Sequence, residues 1–167
     1  LFVSTSATKG LLLIDVNNVI YRAYSVATDL SYQGRSTGGT TGFIRQISSA
    51  IEKTKPSRIL ACFDYPPYER SKFVKEYKGG REVDEKKAQD IKENKEDCRT
   101  LLKTCGIPSL KIKGLEADDL IAHAIKKHYK EYNVTVMSSD KDLFQLLDYP
   151  GGSFYRGKKE DALYTLH

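Results

Sequence analysis

The chain switches between two hydrophobic periods. "LLLIDV" (11–16) and "RILACFD" (58–64) are short continuous apolar runs, the pattern of strands buried on both faces. "NVTVMSSD" (133–140) is β-branched and turns polar at its end, which predicts a third strand. "IPSLKIKG" (107–114) alternates, as expected of a fourth strand nearer a sheet edge. Helical patterns lie between them. In "GFIRQISSAIEKT", Phe43, Ile44, Ile47 and Ile51 recur at three- and four-residue steps. The stretch 85–105 carries Ala88, Ile91, Cys98, Leu101, Leu102 and Cys105 on a helical spacing that reads as core. "ADDLIAHAIKKHYKEY" (117–132) is amphipathic, and "DKDLFQLL" (140–147) reads as a short helix. Strands alternating with helices predict an α/β fold with a mainly parallel central sheet flanked by helices. Residues 1–10 read as an N-terminal extension and 11–167 as one core, with no repeat or linker.

Bulk numbers narrow the class without naming a function. The length of 167 residues suits one domain, and 40% hydrophobic residues suit a folded globule. A net charge of +5 is compatible with a polyanionic partner. No apolar stretch approaches the roughly 20 residues that span a bilayer, so no membrane role is expected. Three cysteines (Cys62, Cys98, Cys105) without framework spacing predict a reducing compartment. The three histidines have no ligand spacing to these cysteines, which disfavours zinc.

The carboxylates change the picture. "GLEADDL" (114–120) puts Glu116, Asp118 and Asp119 within four positions at a helix start. Acids there are favoured anyway, by about 0.3–1 kcal/mol each, because the first turn presents unpaired N–H groups. But Asp15 ends the first strand, Asp64 the second, and Asp140 the "VTVMSSD" strand, with Asp142 two residues on. In an open parallel sheet the crevice at the strands' carboxyl ends is where ligands bind. Acid clusters after four strands, with no basic counter-charge expected at those strand ends, predict a bound divalent cation. An all-oxygen donor set suits Mg²⁺ or Mn²⁺. Because the acids outweigh even two such ions, a phosphodiester substrate needs cations nearby. "ERSKFVKEYKGGR" (69–81) supplies Arg70, Lys72, Lys75, Lys78 and Arg81, with Phe73 and Tyr77 as stacking surfaces and a bend at Gly79–Gly80. A solvated surface segment would have the same composition.

Five blocks run in a familiar order: "LLLIDVNNVIYRAY", "GGTTGFIRQI", "CFDYPPYERSKFVKEYKGGR", "GIPSLKIKGLEADDLIA" and "VTVMSSDKDLFQLL". Through them residues 11 to about 148 resemble the 5′-nucleases: flap endonucleases, phage 5′→3′ exonucleases and the 5′-nuclease domain of bacterial DNA polymerase I. The resemblance implies a PIN-like or resolvase-like core with a helical arch over about 66–97. It implies that Asp15, Asp64, Glu116, Asp118, Asp119, Asp140 and Asp142 hold two Mg²⁺ or Mn²⁺ ions about 4 Å apart, with Asp140 contacting both. Arg22 matches a basic residue facing the reacting strand, and Tyr77, Lys78 and Arg81 match residues at the foot of the arch.

Implied partners are DNA with 5′ ends, flaps or junctions, and RNA–DNA hybrids. The implied setting is the cytoplasm of a bacterial or phage-infected cell, at DNA, as a monomer. Family members continue into a helix–hairpin–helix module that grips duplex and adds aspartates to the second metal site. This chain stops at "GKKEDALYTLH", so a fragment of a longer nuclease is expected. A PIN-type ribonuclease would share the acidic edge but lack room for the 66–97 stretch. A non-catalytic DNA-structure binder would keep the fold without cutting.

Overall fold

A computed structural model describes residues 9–66, 84–150, 152–155 and 163–165. Strand β1 (Lys9–Asp15) leads without a break into helix α1 (Val16–Ser25). A hairpin, β2 (Ser31–Tyr32) and β3 (Arg35–Ser36), follows; its two turn residues, Gln33 and Gly34, both have positive φ, the hand that matches strand twist. Helix α2 (Gly38–Thr54), strand β4 (Arg58–Cys62), helix α3 (Glu85–Thr104) and the short strand β5 (Ser109–Leu110) come next. Helix α4 (Ala117–His128), strand β6 (Tyr132–Met137), a 3-10 helix (Asp142–Asp148), and strands β7 (Ser153–Tyr155) and β8 (Leu163–Thr165) complete it.

The main sheet has the order β5-β4-β1-β6-β7-β8. Five strands are parallel, and β8 pairs antiparallel at one edge. This is the mainly parallel, helix-flanked α/β architecture expected. β1 lies between two parallel neighbours, so both its faces are covered. Leu12 and Ile14 join a core with Val19, Ile20, Phe43, Ile47, Cys98 and Leu102, from the α1, α2 and α3 side. Leu11 and Leu13 join the other core, with Leu120, Ile121, Ala124 and Ile125 of α4. That is why "LLLIDV" is continuously apolar.

Several expectations shift. α1 was missed, because its apolar positions (Val16, Val19, Ile20, Ala23, Tyr24) follow the strand with no break. Asp15 ends the strand and starts the helix in one step: its side chain accepts from Asn18 N–H at 3.1 Å and caps α1. "IPSLKIKG" shrinks to Ser109–Leu110, paired only with β4. α4 ends at His128, four residues early, because Tyr132 is needed to begin β6. Cys105, read as core, is exposed, whereas Cys62 and Cys98 are buried, and all three are free thiols.

The basic stretch with Arg70, Lys72, Lys75, Tyr77, Lys78 and Arg81 lies outside the described residues, as do residues 1–8 of the N-terminal extension. Of the expected arch, the part from Asp84 onward is α3, capped by Asp84, whose side chain accepts from Lys87 N–H at 3.0 Å. Among the described residues no helix is long and apolar enough to cross a membrane.

The "GGTTG" glycines let helices approach. A Cβ on Gly42 would stand 2.5 Å from the Ala23 Cβ, where α1 packs on α2. Gly42→Ala is therefore expected to destabilise the fold by about 1–3 kcal/mol. Adding Ala23→Gly should give back part of that loss. Denaturant titration of the double-mutant cycle measures the coupling; additive losses would contradict the close approach.

Candidate active site

The register of three strands assembles the site. Asp15 is level with Cys62 on β4, and Ile14 with Met137 on β6. Asp64 therefore lies just past the end of β4, and Ser138 lies beside Asp15. Ser138 Oγ donates to Asp15 Oδ2 at 2.9 Å, and Asp140 N–H donates back to Ser138 Oγ at 3.1 Å. Asn18 Oδ1 accepts from both the N–H and the hydroxyl of Ser139, at 3.0 and 2.7 Å. α1 and the "SSD" loop are thereby stitched together. Asp64 is held from two sides: Asn17 Nδ2 donates to Oδ2 and Ala117 N–H to Oδ1, both at 2.8 Å.

"GLEADDL" is a helix start whose acids also line cavities. Glu116, only 5% exposed, is the N-cap of α4. Its carboxylate accepts from Asp119 N–H, while Asp119 Oδ2 accepts from Glu116 N–H at 3.1 Å. The capping reading thus accounts for much of Glu116 and Asp119.

A cavity of about 410 Å³ opens at the carboxyl ends of the strands, lined by Asp15, Asp64, Glu116, Asp118 and Asp140. A second, of about 500 Å³, is lined by Asp118, Asp119 and Asp142. The seven acids therefore divide between two adjoining cavities, and Asp118 lines both. The expectation of no basic counter-charge is corrected: Lys95 of α3 lines the first cavity and Lys141 the second. Lys141 stands in "SSDKD" and was visible there; Lys95 comes from a distant helix that only the fold brings in.

Tyr21, which the sequence reading also passed over, lines the first cavity and is 51% exposed. Its hydroxyl accepts from Lys87 Nζ at 2.8 Å. Arg22 is not among the residues lining either cavity; it turns to α2, donating to Gln46 Oε1 at 3.0 Å.

Asp15 carries the electrostatic strain. Burial, with the charges of Asp118 and Asp64 adding, pushes its carboxyl from 3.8 up to about 7, against the opposing hydrogen bonds from Asn18 and Ser138. The neighbouring Cys62 thiol is pushed up to about 12, by burial and then by Asp15, and is therefore inert.

Among the described residues no three carboxylates, histidines or cysteines stand close enough to ligate one ion together. The donor set nevertheless fits a hard cation. It is all oxygen, it is partly desolvated, and Asn17 Oδ1 beside it is buried with no hydrogen-bond partner. Magnesium keeps several waters and needs only one or two direct carboxylates, so acids spread around a wet cavity suit it.

A mainly parallel sheet with helices on both faces and acids gathered past its carboxyl edge places the chain among α/β proteins with an acidic cleft at the strand ends. The family of 5′-3′ exonuclease N-terminal, resolvase-like domains matches residues 10–165, and the chain belongs to it. It is 36% identical over 143 residues to a 5′-3′ exonuclease of Aquifex aeolicus, covering 83% of this chain and 48% of that protein. It is 36% identical over 141 residues to DNA polymerase I of Bacillus subtilis, covering 83% of this chain and 16% of that one. The chain thus spans half or less of the length of these relatives. A bacteriophage T5 flap endonuclease, solved as a pseudo-enzyme-product complex with DNA and metal ions, shares the fold. Its TM-score is 0.73 at 22% identity, with 94% of this chain and 58% of that one covered.

The Asp15 shift has a sign. A carboxyl whose folded pKa is raised favours the native state at low pH, and that contribution is lost as pH rises from about 4 through about 7. In EDTA, Asp15→Asn should therefore gain stability over the wild type across this window, by about 2–4 kcal/mol at pH 8. Urea titrations at pH 4, 6 and 8 measure the gap; a gap that stays constant would show that Asp15 is not strained.

Proposed function

We propose that this chain is the catalytic core of a divalent-metal-dependent 5′→3′ exonuclease and structure-specific flap endonuclease. It would hydrolyse DNA phosphodiesters near 5′ ends, flaps and junctions, in replication or repair, in a bacterial or phage-infected cell. The observation that carries this is the first cavity, where Asp15, Asp64, Glu116, Asp118 and Asp140 from four separate chain segments face one space. Family membership supplies the reaction class, and the metal-bound DNA complex of the phage relative supports the cofactor.

When bound, two Mg²⁺ or Mn²⁺ ions would supply an activated water and positive charge for an in-line displacement at phosphorus. Asp15, Asp64, Glu116, Asp118 and Asp140 would surround the first ion, and Asp118, Asp119 and Asp142 the second, one or two of them directly and the rest through the ion's waters. The chain's own part is positioning. Ser138 and Asn18 fix the Asp15 carboxylate, and Asn17 with Ala117 N–H fixes that of Asp64. Tyr21 offers an exposed aromatic face at the cavity on which an unpaired base could stack. Lys78 and Arg81, with Tyr77 beside them, would stabilise charge growing on the phosphate, and Arg22 would face the reacting strand from outside the two cavities, where it donates to Gln46. Arg70, Lys72 and Lys75 would contact the backbone. RNA in RNA–DNA hybrids is a further substrate class, and the protein would act as a monomer.

Two measurements test this. Millimolar Mg²⁺ or Mn²⁺ should raise the melting temperature, since free ion at 100 times Kd adds about 2.7 kcal/mol. It should also support cleavage of a 5′-flap DNA that EDTA abolishes, leaving single-stranded RNA intact. Asp140→Asn should lose most of both responses. RNA cleavage without flap cleavage would instead indicate a PIN-type ribonuclease, and metal-independent flap binding without cutting a DNA-structure binder.

Lys78→Ala separates chemistry from binding. Losing a donor to developing charge typically slows a reaction about 100- to 1,000-fold, so the single-turnover rate should fall by that order. Lys75→Ala should weaken binding and flatten its salt dependence by about one phosphate contact. If Lys78→Ala changes affinity alone, its role is docking.

A further inference from the structure

Helix α3 turns one face to the acidic cavity. Lys87, Ile91 and Lys95 recur at four-residue steps and so lie on one side of the helix. Lys87 donates to Tyr21 at the mouth, while Ile91 and Lys95 line the cavity itself. Among the described lining residues Lys95 is the one cation, set among five carboxylates.

Its place on the wall is built rather than incidental. The preceding residue, Asn94, is fully buried. Asn94 Oδ1 accepts from Thr40 N–H at 2.7 Å and from Thr40 Oγ at 2.9 Å; its Nδ2 donates to Ser36 O at 3.2 Å and Asp90 O at 2.7 Å. Gly39 packs so closely that a Cβ there would stand 3.0 Å from Asn94 Oδ1. One turn away, Tyr24 donates to Asp90 at 2.8 Å, and Arg35 pairs with Glu93 and Asp97 at 3.3 and 2.8 Å. These contacts fix the azimuth of α3 and hence which side chains it points at the acids.

We propose that Lys95 is the resident counter-ion of the acidic cavity and sets its affinity for divalent metal; this rests on the metal reading above. The ammonium balances the carboxylates while no ion is bound. A divalent ion must then compete with it for the same oxygens. Its four-carbon stem is flexible and its charge compact, so it yields the carboxylates without the helix moving. The vacated ammonium is then placed to meet the phosphate of a strand lying across the cavity. Metal occupancy and substrate charge thereby become linked through one side chain.

Lys95→Met keeps most of the stem and removes the charge. In low-salt buffer, Mn²⁺ alone is titrated into the full chain by calorimetry, and melting is followed in EDTA. Lys95→Met should bind Mn²⁺ more tightly, by at least about threefold, since a repelling charge has left the site. Its melting temperature in EDTA should fall, and rise further on Mn²⁺ addition than that of the wild type. Lys95→Arg should return Mn²⁺ affinity toward the wild-type value. Lys103→Met, which removes the same charge from the last turn of α3, should leave the affinity unchanged. Should Lys95→Met not fold, Lys95→Gln replaces it in the same titration. Equal Mn²⁺ affinity of wild type and Lys95 variants overturns the inference while leaving the metal reading intact. An equal gain in Lys103→Met also overturns it, because net charge would then be the cause. A wild type that binds no Mn²⁺ overturns both readings.

Discussion

Everything at the site depends on β1 being hydrogen-bonded to a parallel strand on each side. Parallel pairing puts the carboxyl ends of β4, β1 and β6 at one edge, and the register fixes their heights: Asp15 beside Cys62, and Ile14 beside Met137. Residues remote in sequence become neighbours without any further device. Ser138 reaches Asp15 across 123 positions for that reason. The same pairing requires both faces of β1 to be apolar, and it leaves Asp15 only 4% exposed at the point where the strand stops. Fold and site thus pull against each other at one residue. The apolar cover that holds β1 in place is also what makes the Asp15 charge unfavourable.

The protein relieves this opposition locally with polar groups already needed for other purposes. The N–H of Asn18 that donates to the Asp15 cap would otherwise be an orphan at the start of α1. The Ala117 N–H that meets Asp64 is likewise a first-turn donor of α4. Helix starts at the carboxyl edge of a parallel sheet therefore present N–H groups to whatever anion the strands leave there. These hydrogen bonds are not enough to return Asp15 to an ordinary carboxyl, since burial still dominates its shift. A residual demand for positive charge is left over, and Lys95 is the cation among the described residues that line the cavity holding Asp15.

How much of this the sequence carries follows from what each residue depends on. The strands β1, β4 and β6 were legible because burial on both faces leaves an unbroken apolar run, and the acids were legible because they sit at the ends of such runs. α1 was not, because the same apolar residues serve strand and helix and the boundary is a single Asp15. β5 was overestimated because the alternation in "IPSLKIKG" runs past the strand's end at Leu110 into a loop, and its apolar residues Leu110 and Ile112 stay exposed. β7 and β8 are three residues each, too short for either period to register. Lys95 and Tyr21 belong to the site through packing between helices. A lysine in a charged helix and a tyrosine in an amphipathic one carry no local mark of it.

α3 explains why that last step was the hardest to read. Only Asn94, Cys98 and Leu102 of its twenty residues are buried, and the last two lie in its second half. The second half is therefore set by apolar packing against the sheet, as an ordinary core helix is. The stretch from Lys87 to Lys95, which runs along the cavity, is set by hydrogen bonds and ion pairs through Asp90, Glu93, Asn94 and, just beyond it, Asp97. Such contacts exchange with water on opening at little net loss, whereas apolar contacts do not. The wall facing the acids is thus the more polar stretch of a helix whose C-terminal turns, through Cys98 and Leu102, are anchored in the core. An acidic floor fixed by strand register thus meets a wall fixed by polar contacts, and adjustment to the charge on the floor falls to the flexible Lys95 side chain rather than to the helix.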